Sequence, residues 1–437
     1  MIGAGHQGRI SRALARAPTW ALTAFAVTCA FSAYFCMYSY RKPFAAAAWT
    51  GPTIGPLSLK DALIIGQLCG YALSKCAGIR FNSEMPPARR ATWLLVLIVF
   101  AEAALVVFAV VGPRAKVVAM IINGLPLGAV WGLVFSFLEG RRTSEILGAG
   151  LSCSYIVASG AVKSAGAALV GHGIPEAWMP AVTGALFLPL FVLAVLGLSA
   201  LPPPNAGDIA ARTHREPMDR RARRAFVARF ALGIAILVVV YLFLTAYRDI
   251  RDNYAAELWQ GLDYGDQPAA FTRSELPIAL VVMLVLSLLS LIKDNRRGLI
   301  ATYAIMIAGC VLVGLGTLLF DLGVVGGMGW MVMVGLGLYL GYVPYGCVLF
   351  DRTVAAVGVV ATAVFLIYVS DAVAYSGTVG VVLYRRLAAP ELSMVDFFRW
   401  LSYFTSATTT VLFVVAGIYF LRRAKKPDRQ QSPSLPG

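Results

Sequence analysis

Residues 41–49 read Arg41-Lys42-Pro43-Phe44-Ala45-Ala46-Ala47-Ala48-Trp49, and residues 251–259 read Arg251-Asp252-Asn253-Tyr254-Ala255-Ala256-Glu257-Leu258-Trp259. Both fit Arg-x-x-[Phe/Tyr]-Ala-Ala-x-x-Trp, and both stand where a long apolar segment runs out. Two further pairs recur at nearly the same offset. Gly124-Leu125-Pro126-Leu127-Gly128 is echoed by Gly337-Leu338-Tyr339-Leu340-Gly341, and the stretch 156–162 is echoed by 367–373. One such match arises by chance in a chain rich in alanine and valine. Three in the same order at one offset predict a chain built as two parallel halves.

Composition identifies the solvent. Of 437 residues, 59% are apolar and 14% charged, against about 25% charged in an ordinary soluble domain. Apolar runs of about 18–25 residues recur, each long enough to cross ~30 Å of hydrocarbon as a helix. The short alternating segments of a β-barrel are absent. The expected fold is therefore an all-α polytopic membrane protein of twelve transmembrane helices in two pseudo-symmetric six-helix halves. The predicted spans are roughly 18–47, 57–79, 92–111, 116–138, 145–170 and 178–200, then 225–250, 276–293, 298–320, 326–349, 355–384 and 397–421. An N-terminal tail (1–17), a first half (18–200), a basic linker (201–224), a second half (225–421) and a tail (422–437) follow from them. The seven cysteines all lie in apolar runs without a C-x-x-C pair, which reads as buried thiols.

The net charge of +15 is distributed by side. Arginines crowd the first 17 residues, the linker, Arg89/Arg90, Arg141/Arg142, Arg296/Arg297 and the last tail. The longest connection on the other side holds Asp263, Asp266 and Glu275. This is the positive-inside pattern, so both termini are expected in the cytoplasm of a multi-pass protein of the cell (inner) membrane. The apolar run after Pro18 is too long for a signal peptide and is expected to be retained. The linker's arginines serve topology rather than nucleic acid, and no nucleic-acid partner is expected.

Enzyme chemistry finds little support. The histidines are His6, His172 and His214, in a tail and two loops, so no metal or acid–base centre is expected at membrane depth. No G-x-x-x-x-G-K-[ST] occurs. The expectation is a non-enzyme without cofactor or metal.

Charge and polarity inside the spans carry the functional signal. Phe31, Tyr34, Tyr38 and Arg41 share one face of the first helix, an aromatic stripe leading to a guanidinium that suits a phosphate or carboxylate. The plain alternative is an interfacial aromatic belt with Arg41 and Lys42 snorkelling. The repeat supplies Arg251 at the equivalent place, with Arg248 one turn earlier, and a site between repeats draws on both. On the second span Gln67, Tyr71 and Lys75 form a polar stripe beside the small residues Gly66, Gly70 and Ser74. Lys75 lies about a turn from the cytoplasmic end, where snorkelling competes with function. Glu102, Lys163 and Asp371 are further charges at depth. They are candidates for coupling or internal pairing, and Asp371 stands where the first repeat has Gly160.

Tyr38-x-x-Arg41-Lys42-x-Phe44, followed by Tyr71-x-x-Ser74-Lys75, resembles the organophosphate:phosphate antiporters of the major facilitator superfamily, the glycerol-phosphate and hexose-phosphate exchangers. The similarity covers roughly residues 20–165 and extends to Gly124–Gly128 on the fourth helix. It implies the superfamily fold, Arg41 as one of two arginines that bind substrate phosphate, Lys75 nearby, and Arg248 or Arg251 as the second. The chain departs from the family at Ala72, where the family has Gly. It lacks an Asp-Arg pair in the following loop, where Asn82 and Glu84 are the nearest polar residues. Ser159 replaces a histidine, and Asp249 and Asp252 stand beside the arginines.

Together these features predict a secondary transporter that moves a small anionic organic solute, an organophosphate among the candidates, by alternating access. Its expected state is a monomer in the lipid bilayer, with a proton or phosphate as co-substrate. A transporter-like sensor that binds solute without moving it, and a lipid flippase or scaffold, are the alternatives. The substrate-binding candidates are Tyr34, Tyr38, Arg41, Lys42, Tyr71, Lys75, Arg248 and Arg251. The topology has a direct check. An impermeant thiol reagent added from outside should modify cysteine at Asp263→Cys and spare Asn205→Cys, and the reverse pattern would invert the assignment.

Overall fold

The computed structural model describes residues 9–83, 85–138, 144–203, 220–292, 294–357 and 363–424. Twelve long helices run through them: α1 (Thr19–Met37), α2 (Leu59–Ser83), α3 (Arg90–Val110), α4 (Pro113–Ser136), α5 (Ser144–Gly171), α6 (Met179–Ser199), α7 (Arg220–Asn253), α8 (Ala270–Ser290), α9 (Asn295–Asp321), α10 (Gly327–Pro344), α11 (Ala363–Ala388) and α12 (Met394–Arg423). A short helix, Arg9–Arg16, precedes them, and another, Ala255–Gly261, follows α7. Nine stretches among the described residues are long and apolar enough to cross a membrane. The helices divide six and six about residues 204–219; that segment, Arg141/Arg142 and the last tail from 425 lie outside the described residues.

The two halves are built alike. α3, α6, α9 and α12 show apolar faces to the outside, with Val99, Leu193, Leu315 and Val411 among their exposed residues. Large uncovered apolar surfaces of this kind belong in lipid. The halves meet where α5 packs on α8 and α2 on α11.

Glycine permits the closest of these approaches. A Cβ on Gly70 of α2 would lie 2.0 Å from the Ile121 carbonyl oxygen of α4, and one on Gly124 of α4 would lie 2.5 Å from the Gln67 carbonyl oxygen of α2. Backbones in contact gain dispersion energy and polar reach that larger residues would forbid. The echo at Gly337 meets a different neighbour, since its Cβ would lie 2.4 Å from the Gly309 carbonyl oxygen of α9. The repeat therefore preserves the close approach and changes the helix approached.

Three boundaries depart from the sequence expectation. α1 does not continue to residue 47: it ends at Met37, and two short 3-10 turns, Tyr38–Tyr40 and Pro43–Ala46, carry the chain out. Pro43 lacks the N–H a continuing helix needs and opens the second turn instead. α8 begins at Ala270 rather than 276. Glu275 thus belongs to a helix and not to the outer connection, because its first turns find polar partners inside the protein. α10 continues beyond its proline through a π-turn, Tyr345–Leu349, into Phe350–Val357.

Gly70→Ala and Gly124→Ala should each destabilise the detergent-solubilised protein by about 1–3 kcal/mol, the usual penalty of overpacking. Gly380→Ala, where an added Cβ meets nothing within 4 Å, should change it by less than about 0.5 kcal/mol. Thermal unfolding of the three variants provides the comparison.

Candidate functional site

The ends of α1 and α7 meet between the two halves and close on a small cavity of about 10 Å³, room for about one water molecule. Tyr38, Arg41 and Lys42 line it from the end of α1, and Tyr155 and Ser159 from α5. Arg248, Asp249 and Asp252 line it from α7, and Tyr339 from α10. Arg248 and Asp252 are four residues apart, so one face of α7 presents both. α5 reaches the site because Gly160 lets α8 cross it closely, a Cβ there lying 2.5 Å from the Phe271 carbonyl oxygen.

Nearly every charge in this region is matched. Lys42 Nζ and Lys163 Nζ each lie 2.5 Å from the Asp252 carboxylate, one on each oxygen. Ser159 donates its hydroxyl to the same carboxylate. Lys42 also donates to Asn253 Oδ1 at 2.8 Å. Since Lys42, Ser159 and Lys163 belong to the first half and Asp252 to the second, this cluster joins the halves. Arg248 is closed within its own half: Nη2 lies 2.8 Å from Asp249 Oδ1, Nη1 reaches the Tyr342 hydroxyl, and Thr378 donates to Asp249 Oδ2 at 2.9 Å.

Arg41 is the exception. It is 4% exposed, its guanidinium carbon lies 3.9 Å from the centre of the Tyr71 ring, and its Nε has no hydrogen-bond partner. No carboxylate among the described residues forms an ion pair with it. A place over an aromatic face is favourable for a guanidinium, yet it leaves the Nε–H without an acceptor. A buried cation in that condition is costly unless a ligand supplies the missing acceptors.

The other candidates are placed as follows. Tyr34 is buried behind the cavity, edge-on to Tyr38 with ring centres 5.6 Å apart. Tyr71 forms the platform under Arg41 and meets Tyr375 of the other half at 5.6 Å. Lys75 Nζ stands 5.7 Å from the centre of the same Tyr71 ring. Arg251, the repeat counterpart of Arg41, does not line the cavity. Its Nη1 lies 2.5 Å from Glu275 Oε1 and its Nη2 donates to the Met331 carbonyl at 3.0 Å. Arg248, one turn earlier, takes the place facing Arg41's half.

Of the coupling candidates, Lys163 belongs to the Asp252 cluster. Glu102 lies apart from the cavity between α3 and α6, where a Cβ on Gly184 would come 2.3 Å from its Oε2, and that oxygen has no partner among the described residues. The side chain of Asp371 lies outside the described residues. No group of three or more His, Cys, Asp or Glu side chains poised to hold a metal occurs among the described residues.

Sequence reading passed over Tyr155, Ser159 and Tyr339 as lining residues. Ser159 carried a signal, since it stands where the resembled family has a histidine. Tyr339 sits inside the repeated glycine motif.

Further polar contacts join the halves at the same end of the bundle. Lys60 Nζ lies 2.5 Å from Glu257 Oε2, Tyr254 donates to Asp61, and Ser164 donates to the Pro268 carbonyl at 2.6 Å.

The profile of a family described as "Family of unknown function (DUF5690)" matches residues 43–423. No curated protein matches the chain. Among solved structures it is similar to the nucleoside transporter NupG, at 14% identity over 92% of this chain and 100% of that chain, with a TM-score of 0.58. It is similar to a D-xylose-proton symporter at 13% identity over 93% and 98%, with a TM-score of 0.61. It is also similar to a mutant of the peptide transporter POT in complex with alafosfalin, at 17% identity over 97% and 100%, with a TM-score of 0.61. At such identities the likeness is one of fold, that of the major facilitator superfamily.

The shared carboxylate makes an asymmetric prediction. Asp252→Asn leaves two buried ammonium groups without a counter-charge and should cost about 3–5 kcal/mol. Lys42→Met leaves Lys163 and Asp252 as a balanced pair and should cost less than half as much. Equal losses in thermal unfolding would contradict the shared-ion geometry.

Proposed function

The chain belongs to the family of unknown function DUF5690, and we propose that it is a secondary transporter moving a small organic anion between the two halves by alternating access. One observation carries the reading: Arg41 is buried at the interface of the halves without a counter-anion among the described residues, while the cations around it are paired. An anion admitted as the halves part supplies that guanidinium with a charged acceptor. Tyr38, Tyr155 and Tyr339 supply the hydroxyls and ring faces that surround the rest of the solute.

The location supports transport. A site between two repeats at the ends of their first helices is reached from one side or the other as the halves rock. Contacts that must break and reform are present on the far side, where Lys42–Asp252–Lys163 and Lys60–Glu257 bridge the halves. On the other side of Arg41 the halves touch through aromatic pairs, Tyr155 with Tyr339 at 6.3 Å and Tyr71 with Tyr375 at 5.6 Å. The solved structures of similar fold are titled as transporters of nucleosides, of D-xylose with a proton, and of peptides, which supports a carrier rather than an enzyme. The resemblance to the organophosphate exchangers over Tyr38–Lys75 favours a phosphate ester among the anions. The arginine distribution supports a cytoplasmic side for residues 201–224 and both tails in an inner membrane.

A thermal-stabilisation screen of the purified protein against inorganic phosphate, phosphate esters and carboxylates should identify stabilising anions. Counterflow of the best of them in proteoliposomes then separates a carrier from a sensor. For that anion, Arg41→Lys should weaken binding nearly as much as Arg41→Ala, because lysine keeps the charge and loses the fork. Loss of an ionic hydrogen-bond partner amounts to on the order of 2 kcal/mol, or about thirtyfold in affinity. Undiminished binding and counterflow in both variants would refute the anion site.

A further inference from the structure

Arg41 projects from backbone that has already left the helix. After Met37 the amides of Arg41 and Lys42 both return to the Tyr38 carbonyl, at 3.0 and 2.9 Å. The next turn begins at Pro43, and its Ala45 amide goes to the Lys42 carbonyl. The carbonyls of Tyr40 and Arg41 are met instead by two side chains from other helices. Gln67 of α2 donates Nε2 to the Arg41 carbonyl at 3.0 Å. Asn123 of α4 donates Nδ2 to the Tyr40 carbonyl at 3.1 Å.

The two carboxamides are also tied to each other and to a third helix. Gln67 Nε2 donates its second proton to Asn123 Oδ1 at 3.0 Å, and Asn123 Nδ2 donates its second to the Ala101 carbonyl of α3 at 3.2 Å. Gln67 is 4% exposed and Asn123 fully buried. Both donors of each amide are used, so the network has one arrangement and no slack. It exists because Gly70 and Gly124 bring α2 and α4 into backbone contact beside these two residues.

We propose that Asn123 and Gln67 are positioning residues for the anion site: they fix the turn that follows α1 so that the Arg41 guanidinium is held over Tyr71 at the cavity. This rests on the reading of Arg41 as the anion ligand, which neither carboxamide touches. α1 donates no side chain to the network, only carbonyls, so what it fixes is the path of the backbone. A guanidinium carried on a loose turn would sample many orientations and lose the preorganisation on which paired recognition depends. The α2–α4 glycine contact thereby acquires a role beyond packing, because it delivers two amides to the place where Arg41 leaves its helix.

Phenylglyoxal, which modifies guanidinium groups, reads the order of this turn without any substrate. Peptide mass spectrometry of the intact, detergent-solubilised protein gives the rate at Arg41 and at Arg248 in one sample. Gln67→Met keeps the side-chain length and removes both donated bonds. It should speed modification of Arg41 by about fivefold, the change in local opening expected from one lost net hydrogen bond, and leave Arg248 unchanged. Asn123→Leu should do the same; if it does not fold, Gln67→Met alone decides. Thr302→Val, which removes a buried hydroxyl bonded to the Gly298 carbonyl within α9, is the control for general loosening and should leave the Arg41 rate as it is. An Arg41 rate in Gln67→Met equal to wild type, or a rise shared by Arg248 and by Thr302→Val, overturns the positioning role. Inorganic phosphate separates this from the anion reading. Protection of Arg41 by phosphate in wild type, lost in Gln67→Met, is the expected result. Absence of protection in wild type with the rate effect intact removes the anion reading and leaves the positioning in place.

Discussion

A charge removed from water must be answered by another, and the interior of this bundle is arranged around that requirement. The cost of an unanswered ion in a low-dielectric interior is several kcal/mol, large against the net stability of any protein. Asp252 answers two lysines at once from across the interface, Asp249 answers Arg248, and Glu275 answers Arg251. The helix directions, the glycine contacts and the kinked exit of α1 all serve to bring these groups within reach. Arg41 has no such carboxylate among the described residues, and the proposed function rests on it.

The same pairing gives the halves something to exchange. Contacts within a half, such as Arg248 with Asp249 and Tyr342, can persist through any rigid-body rocking. Contacts between halves, such as Asp252 with Lys42 and Lys163, or Lys60 with Glu257, cannot. The two classes of ion pair lie within a few residues of each other on α7. One carboxylate thus holds the Arg248 guanidinium in place while its neighbour, one turn on, holds the halves together. The proposed transport requires both, with the second kind breakable at a cost a bound solute can meet.

Much of the architecture was legible in the sequence because lipid imposes a coarse rule: a run of about twenty apolar residues is a helix. The division into halves was legible from the repeat at Arg41 and Arg251 and from the basic linker. The site was legible in part. Tyr38, Arg41 and Lys42 stand where the first helix runs out, and Arg248 with its adjacent acids was visible as a departure from a known pattern. What the sequence could not convey is which neighbour each charge finds. Arg248 and Arg251 share a helix face, and only the position of Glu275, one turn into α8, decides that Arg251 is spent on a structural pair. The repeat pointed to Arg251, whereas Arg248 lines the cavity, because symmetry of sequence does not require symmetry of partners. The glycine echo behaves likewise, with Gly124 meeting α2 and Gly337 meeting α9. Tyr155 and Tyr339 went unseen because an isolated tyrosine in an apolar helix carries no signal of what it faces.

Arg41 forms no ion pair with a carboxylate among the described residues, and the proposed anion site depends on that. Crystals of the full-length protein grown with selenate, measured at the selenium absorption edge, locate an anion directly. The account predicts an anomalous peak between α1 and α7 within hydrogen-bonding distance of the Arg41 guanidinium. A carboxylate of the chain itself bound to Arg41, with no peak at that position under saturating selenate, would contradict it.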